Sequence, residues 1–199
     1  HDACQMSRSQ TALIPPPPVL VLLAAGTPAK VAARLDKAAP ALAEALGLQL
    51  AAPLAPDDPQ AALAGLVAGS AALGSVAVGS EAAEGPSPVT RLVPLPRDPG
   101  HGLPAGGHWA EALGAWRQPV LLLFSAKQLE SGLPAATTAL LERWQVPCAG
   151  LLQWGGRWQA GLRRRDALPW LGGLTKLGAD DPEALRQALA LRWRQLQAR

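Results

Sequence analysis

A strand–helix–strand pattern between residues 119 and 156 constrains the fold more than any other stretch of the chain. It opens at residues 120–124 with five consecutive apolar residues between a proline and a serine. Such a short, unbroken apolar run is typical of a strand buried on both faces. Apolar residues then recur at helical spacing over 133–144, and a second apolar run follows at 148–152. Because parallel strands are joined through a crossover helix, the pattern predicts a parallel sheet.

Strand and helix patterns alternate along the rest of the chain. Residues 18–25 (PVLVLLAA) form a further apolar run, and an alanine-rich helix is predicted over 29–46. Pro40 falls inside that helix, where we expect it to kink the helix or split it in two. Helices are also predicted at 59–72, 108–116 and 181–197, and strands at 48–54, 75–80, 89–95 (half-exposed or at an edge) and 168–174 (at an edge).

Strands that alternate with helices in this way predict an α/β fold. We expect a three-layer sandwich with a mainly parallel sheet of about five to seven strands and a Rossmann- or P-loop-like topology. With 199 residues, 49% of them hydrophobic, the chain can bury one core, so a single domain is predicted over residues 18–199. Residues 1–17 precede it as a flexible N-terminal arm.

The composition bears on where the protein is located and on whether it crosses a membrane. The prolines at 15–18 break the helix that a signal peptide needs, and no apolar stretch approaches the ~20 residues that span a bilayer. Two cysteines are too few for a disulfide framework, so a reduced, cytoplasmic protein is the simplest interpretation. The absence of asparagine and tyrosine indicates a GC-rich, bacterial genome.

The charge is modest and unevenly spread. The net charge is +3, but residues 101–199 carry twelve basic and seven acidic side chains and all seven tryptophans. Basic residues with tryptophan occur on nucleic-acid-binding surfaces, although such surfaces also have a dense stripe of lysine and arginine, which this chain lacks. The composition therefore disfavours nucleic acid as a partner.

Ligands of parallel α/β sheets bind beyond the carboxyl ends of the strands. In this chain the segments that follow predicted strands are residues 26–30, 80–88, 125–132 and 153–158. Lys30 can hold an anion there as a point charge, although an exposed lysine in a first helical turn is the commoner arrangement. These segments are where the sequence predicts a site.

Three other polar groups have both a functional and an ordinary interpretation. They are His101 and His108 with Asp98 and Glu111; Ser125 with Lys127 and Ser131; and the arginines at 163–165. The histidines are too loosely spaced for a metal site, which favours a solvated loop. No G-x-S-x-G elbow accompanies the serines, which favours ordinary loop polarity. The arginine run suits a phosphate, an acidic partner or plain solvent, and the last is favoured.

The most unusual surface feature is the loop at residues 154–158, WGGRW. Trp154 and Trp158 flank Arg157 on a glycine-flexible backbone at the end of a predicted strand. Large aromatic rings beside an arginine suit stacking on a planar ligand or anchoring a protein partner. Folding back onto the sheet as a lid is the other interpretation, and the sequence leaves both open.

Several residues follow a pattern found in one known family. They are Pro119-Val120, Lys127, Thr137 and Pro147 to Gly150, with Glu84-Gly85 and Val93 to Leu95 upstream and Leu168 to Gly172 downstream. Over roughly residues 80–190 the chain resembles dethiobiotin synthase, an ATP-dependent carboxylase of the P-loop group that also contains cobyric acid synthase-like proteins. The resemblance implies a P-loop α/β fold that in the family binds ATP and magnesium.

The chain departs from that family in the nucleotide-binding segments. The family's phosphate loop is G-T-x-x-x-G-K-T, whereas residues 26–31 read GTPAKV, which is shorter and lacks the second glycine. Val31 stands where the metal-holding serine or threonine belongs, and Pro28 removes an N–H donor. Trp154 stands where the family has an adenine-reading asparagine. An ordinary Mg-ATP site cannot be assembled from these residues.

The sequence therefore predicts a non-catalytic or diverged dethiobiotin-synthase-like domain that binds a ligand or a protein at the carboxyl ends of its strands. The predicted ligand-binding residues are Gly26, Thr27, Lys30, Lys127, Trp154, Arg157 and Trp158, with no metal ligands. One alternative is an active nucleotide- or anion-dependent enzyme of ligase or transferase type that uses Lys30, Lys127 and Arg157.

A second alternative is a flavodoxin-like or dinucleotide-binding domain in which Trp154 or Trp158 stacks on a flavin or a nicotinamide. No G-x-G-x-x-G fingerprint supports it. A nucleotide stays open as the cofactor, and the partner predicted for the loop at 154–158 is a small anion, a nucleotide or another protein. A homodimer is left open, and no membrane partner is expected.

Overall fold

A computed structural model describes residues 17–74 and 90–198, and these residues form an α/β fold with a seven-stranded, mostly parallel sheet. The strands are β1 (Val19–Ala24), β2 (Gln49–Leu50), β3 (Arg91–Pro94), β4 (Val120–Ser125), β5 (Cys148–Trp154), β6 (Trp170–Thr175) and β7 (Gly178–Ala179). The helices are α1 (Pro28–Leu46), α2 (Pro59–Gly74), α3 (Trp109–Ala115), α4 (Leu133–Arg143), α5 (Ala160–Arg163) and α6 (Pro182–Gln197).

The strand order in the sheet is β2-β3-β1-β4-β5-β6-β7. Every neighbouring pair is parallel except β6 and β7, which pair antiparallel. β1 lies in the interior of the sheet, with β3 on one side and β4 on the other. The predicted parallel pairing of β4 and β5 is confirmed, and their register joins Leu122 to Leu151.

Apolar side chains of the central strands point alternately into two cores, as the strand period of two requires. Val21 and Leu23 belong to a core that also contains residues of α2, α3 and α4. Leu20 and Leu22 belong to a second core, which contains residues of α1 and Leu185 of α6. The unbroken apolar run of β1 is therefore explained by burial on both of its faces.

Helix ends follow the local chemistry of the sequence. Asp181 caps α6, because its Oδ1 accepts a hydrogen bond from the Ala184 N–H at 2.9 Å, and Pro182 occupies the first helical position. Asp58 accepts a bond from the Ala61 N–H at 3.0 Å at the start of α2. α1 runs as one helix from 28 to 46 with Pro40 inside it, so of the two predicted effects of Pro40, a kink or a split, the split does not occur.

Two predictions about sheet edges are also wrong. β3 lies between β2 and β1, although its alternating pattern predicted a half-exposed or edge position. The charged side chain of Arg91 is covered there by α2, since its Nη2 donates to the Leu66 carbonyl at 3.3 Å. β6 is not an edge because β7 pairs beyond it.

Some predictions fall outside the described residues. These are the strand at 75–80, the segment at 81–88 and most of the N-terminal arm. Within the part of the chain that the structure describes, no helix is both long enough and apolar enough to cross a membrane.

Candidate functional site

The turn after β1 is where the sequence places its first site, and the protein's own carboxylate occupies it. Gly26 has a φ of 132°, and its N–H donates to Oδ2 of Asp98 at 2.7 Å. The other oxygen of Asp98, Oδ1, accepts from the Gly100 N–H at 2.8 Å. A phosphate loop offers backbone N–H groups to its ligand. Here the Gly26 N–H is already bonded to the carboxylate of Asp98.

The rest of this turn has one N–H donor fewer than a turn without proline. Thr27 is extended and precedes α1 without a hydrogen bond from its side chain. Pro28 occupies the first helical position and has no N–H. Thr27 and Lys30 are both exposed. The structure thus brings Gly26, Thr27 and Lys30 together in one exposed turn, and Asp98 is bonded to the Gly26 N–H of that turn.

Gln128 joins the carboxyl ends of β1 and β4. Its Nε2 donates to the Ala25 carbonyl at 2.9 Å, and its Oε1 accepts from the Ser125 N–H at 2.9 Å. Arg34 donates to the same Ala25 carbonyl at 3.1 Å. Lys127, the predicted ligand-binding neighbour, is exposed beside it. Sequence reasoning missed Gln128, although the Ser-x-x-Gln spacing from Ser125 is that of a capping box.

At the carboxyl end of β5, as at β1 and β4, a glutamine side chain binds backbone groups. Gln153 is buried, and its Nε2 donates to the carbonyls of Gly155 at 2.8 Å and Arg157 at 3.3 Å. Gly155 and Gly156 have φ values of 75° and 69°, which a residue with a side chain adopts only at a cost. A Cβ on Gly156 would lie 2.8 Å from that of Ala126. The loop is therefore tied both to itself and to the segment after β4.

The two tryptophans of this loop do not form one surface. Trp154 packs against the core that contains α1 and α6. Trp158 lies with its ring centroid 6.2 Å from that of Trp170, which packs against the opposite core. Both indoles are half-buried, and Arg157 between them is exposed. The predicted residues of this loop thus separate onto different faces of the sheet.

The histidine-rich loop holds no metal cluster in the described residues. His108 caps α3, because its Nδ1 accepts from the Glu111 N–H at 3.3 Å, and its ring meets the edge of Trp144 at 5.5 Å. His101 is exposed, and the carboxylate of Asp98 is engaged at the end of β1. His108 therefore stabilises the start of α3, and Asp98 stabilises the turn after β1.

None of the candidate nucleophiles is arranged for catalysis. These are Ser125, Ser131 and Cys148. Ser131 donates to the Gln128 carbonyl at 2.8 Å, and Ser125 lies in the capping interaction with the Gln128 side chain. Burial raises the pKa of the Cys148 thiol to about 11, which keeps it protonated at neutral pH. A protonated, buried thiol is inert toward most electrophiles.

The arginine run at 163–165 lies beside a pocket of about 320 Å³. Its wall contains Arg163, Arg165 and Asp166, together with residues from the start of α4. Arg163 lies over the ring of Trp170, with its guanidinium carbon 5.6 Å from the ring centroid. The sequence singled out these arginines only as a charged run, and their aromatic platform was missed because it comes from another element.

Set beside known proteins, the chain matches no family model and no curated protein.

Proposed function

We propose that the chain is a non-catalytic binding domain on a dethiobiotin-synthase-like scaffold, whose former phosphate loop has become a structural turn. The binding surface is the end of the sheet where the strands finish and the loops after β1, β4 and β5 meet. One observation carries the proposal: the Gly26 N–H donates to the carboxylate of Asp98 rather than standing open. The ligand is a small molecule or a protein that needs no phosphate loop.

Electrostatics supports this proposal over an ATP-dependent enzyme. A triphosphate at Gly26 would meet the negative charge of Asp98, and like charges at contact distance repel. Moving Asp98 away would break its bonds to the Gly26 and Gly100 N–H groups. Val31, which stands where a metal-holding hydroxyl belongs, is fully buried.

The strand order favours a P-loop-like ancestry for the scaffold. β1 lies between β3 and β4, and the crossover after β1 uses a helix of one core while the crossover after β4 uses a helix of the other. A reversal of this kind creates a crevice beyond the carboxyl ends of the two strands. We propose a three-layer sandwich of this type, with its crevice filled by Asp98 and Gln128.

Calorimetry with Mg-ATP tests the proposal. We expect no binding heat up to about 1 mM nucleotide, which corresponds to a binding free energy no stronger than about −4 kcal/mol. The variant Lys30→Ala should behave as the wild type does, because Lys30 has no phosphate to hold. Micromolar binding of Mg-ATP that Lys30→Ala abolishes would contradict a non-catalytic domain and favour the nucleotide-dependent enzyme.

A further inference from the structure

The pocket beside the arginine run combines apolar walls with unused hydrogen-bond donors. It lies between the segment that follows β4 and the crossover that joins β5 to β6. Leu129, Pro134, Leu162 and Leu168 supply the apolar wall. Leu162 is 47% exposed, which leaves its side chain open to a ligand. A volume of about 320 Å³ lies within the range of small-molecule sites.

Arg163 supplies the first unused donors. Its guanidinium makes no hydrogen bond to any described residue, and its Nε is a buried atom without an acceptor. The nearest carboxylate, that of Asp166, lies 3.7 Å from Nη1, beyond hydrogen-bond distance. The ring of Trp170 supports one face of the guanidinium. An arginine that lies over an aromatic ring and makes no hydrogen bond to a described residue can donate to a planar or tetrahedral oxyanion.

The start of α4 supplies a further donor to the same pocket. Ala135 lines the pocket and lies in the first turn of α4, where backbone N–H groups have no acceptor within the helix. The preceding Leu133 N–H is already bonded to Ser131 Oγ, and Pro134 has none. The Ala135 N–H is therefore the donor that this helix end leaves for a ligand.

The charge of the pocket is positive but small. Arg163 and Arg165 contribute two positive charges and Asp166 one negative charge. Both oxygens of Asp166 already accept from Trp170 Nε1, at 3.0 and 2.9 Å, and Oδ1 also accepts from the Leu168 N–H at 3.1 Å. The aspartate thus positions the indole of Trp170 and also pairs with the Arg163 guanidinium at 3.7 Å, without a hydrogen bond to it. A ligand with one oxyanion group matches this balance better than a polyphosphate does.

We propose that this pocket binds a small amphipathic ligand through a single oxyanion, a carboxylate or a phosphate monoester, with its apolar body against the leucines. Arg163 holds the oxyanion, Arg165 adds charge, and the Ala135 N–H donates to it. The inference goes beyond the proposed function, because it names a second region of the chain and the class of ligand that this region binds. It does not depend on the turn at Gly26.

Calorimetry with benzoate, phenyl phosphate and inorganic phosphate tests the inference on the full chain. We expect one of the organic probes to bind with a Kd below about 1 mM and inorganic phosphate to bind at least about tenfold more weakly, because it lacks an apolar body. The tighter organic probe shows whether the oxyanion is a carboxylate or a phosphate. Arg163→Gln should weaken that probe at least about tenfold, as expected for a charge-assisted pair.

Arg164→Gln is the matched control, since Arg164 is an exposed neighbour that does not line the pocket. It should change the Kd less than about twofold. If circular dichroism shows that Arg163→Gln does not fold, Arg165→Gln replaces it, with an expected loss of about threefold. Equal affinities in the Arg163 and Arg164 variants, or no binding of either organic probe at about 10 mM, would overturn the inference.

The calorimetry with oxyanions and the calorimetry with Mg-ATP can fail independently of each other. Mg-ATP binding that depends on Lys30 would overturn the non-catalytic domain and leave the oxyanion pocket standing. Absence of oxyanion binding would overturn the pocket and leave the occupied turn at Gly26 unchanged.

Discussion

The carboxyl end of β1 and the pocket between α4 and α5 contain similar groups but use them in opposite ways. At β1, the Gly26 N–H is bonded to Asp98, and the Ala25 carbonyl accepts from both Gln128 and Arg34. In the pocket, Nε of Arg163 has no acceptor among the described residues, and Nη1 lies 3.7 Å from the carboxylate of Asp166. The comparison contrasts a donor that is bonded to a carboxylate of the chain with a donor beside a cavity that has no acceptor among the described residues.

Gly156→Ala is the substitution with the largest expected effect on the occupied end of the sheet. The new Cβ would lie 2.8 Å from the Ala126 Cβ, at a φ of 69°. We expect a loss of about 2–4 kcal/mol in the free energy of unfolding, from overpacking and backbone strain together. Urea denaturation followed by circular dichroism measures it.

Gly155→Ala is the matched control, because its φ is 75° but no atom lies within 4 Å of the new Cβ. It should lose only about 1 kcal/mol, from backbone strain alone. Equal losses in the two variants would show that the loop after β5 is not packed against the segment after β4.

Asp98→Ala tests whether the carboxylate holds the turn after β1 closed. The variant leaves the N–H groups of Gly26 and Gly100 without their acceptor, so we expect a loss of about 1–3 kcal/mol in unfolding free energy. Asp98→Asn retains one acceptor oxygen and should lose about half as much. An Asp98→Ala variant as stable as the wild type would remove the distinction between an occupied and an open end.

Asp166→Asn tests the pocket in the opposite direction, because it should improve binding. The substitution removes the negative charge that lies 3.7 Å from Arg163, and its remaining oxygen still accepts from Trp170 Nε1. We expect the affinity for the preferred organic probe to rise about three- to tenfold, or about 0.7–1.4 kcal/mol. Weaker binding in this variant, measured by the same calorimetry, would count against an oxyanion in the pocket.

Lys30→Ala should have the smallest effect. Lys30 is exposed and has no ion pair with any described residue, so its loss should change the free energy of unfolding by less than about 0.5 kcal/mol. Its loss should also leave the affinity for benzoate and phenyl phosphate unchanged. A clear loss of affinity would show that the turn after β1 takes part in oxyanion binding.

The scaffold could be predicted from the sequence because its signals are local. Unbroken apolar runs identified β1, β4 and β5, and acidic residues beside a proline identified the starts of α2 and α6. The position of β3 could not be predicted, because its charged residue Arg91 is covered by a helix distant in sequence. The alternation of polar and apolar residues therefore predicted more exposure than β3 has, since Arg91 is half-buried and Leu92, Val93 and Pro94 are buried.

The state of the candidate site could not be predicted, because it depends on contacts between distant segments. Asp98 lies 72 residues from Gly26, and Gln128 lies 103 residues from Ala25. A lone aspartate and a lone glutamine carry no signal of such pairing. The absence of an ordinary Mg-ATP site, which the sequence of residues 26–31 predicts, stays a prediction. The sequence also could not predict that Trp154 and Trp158 lie apart, because that depends on which face of the sheet each indole packs against.

A titration of ¹⁵N-labelled protein followed by amide and indole NMR signals observes both regions in one experiment. With phenyl phosphate or benzoate, we predict that the signals of the Ala135 N–H and the Trp170 indole N–H shift while that of Gly26 stays in place. With Mg-ATP, the Gly26 signal should again stay in place. A Gly26 signal that moves with Mg-ATP, or an Ala135 signal that ignores every probe, would contradict the distinction between an occupied turn and an open pocket.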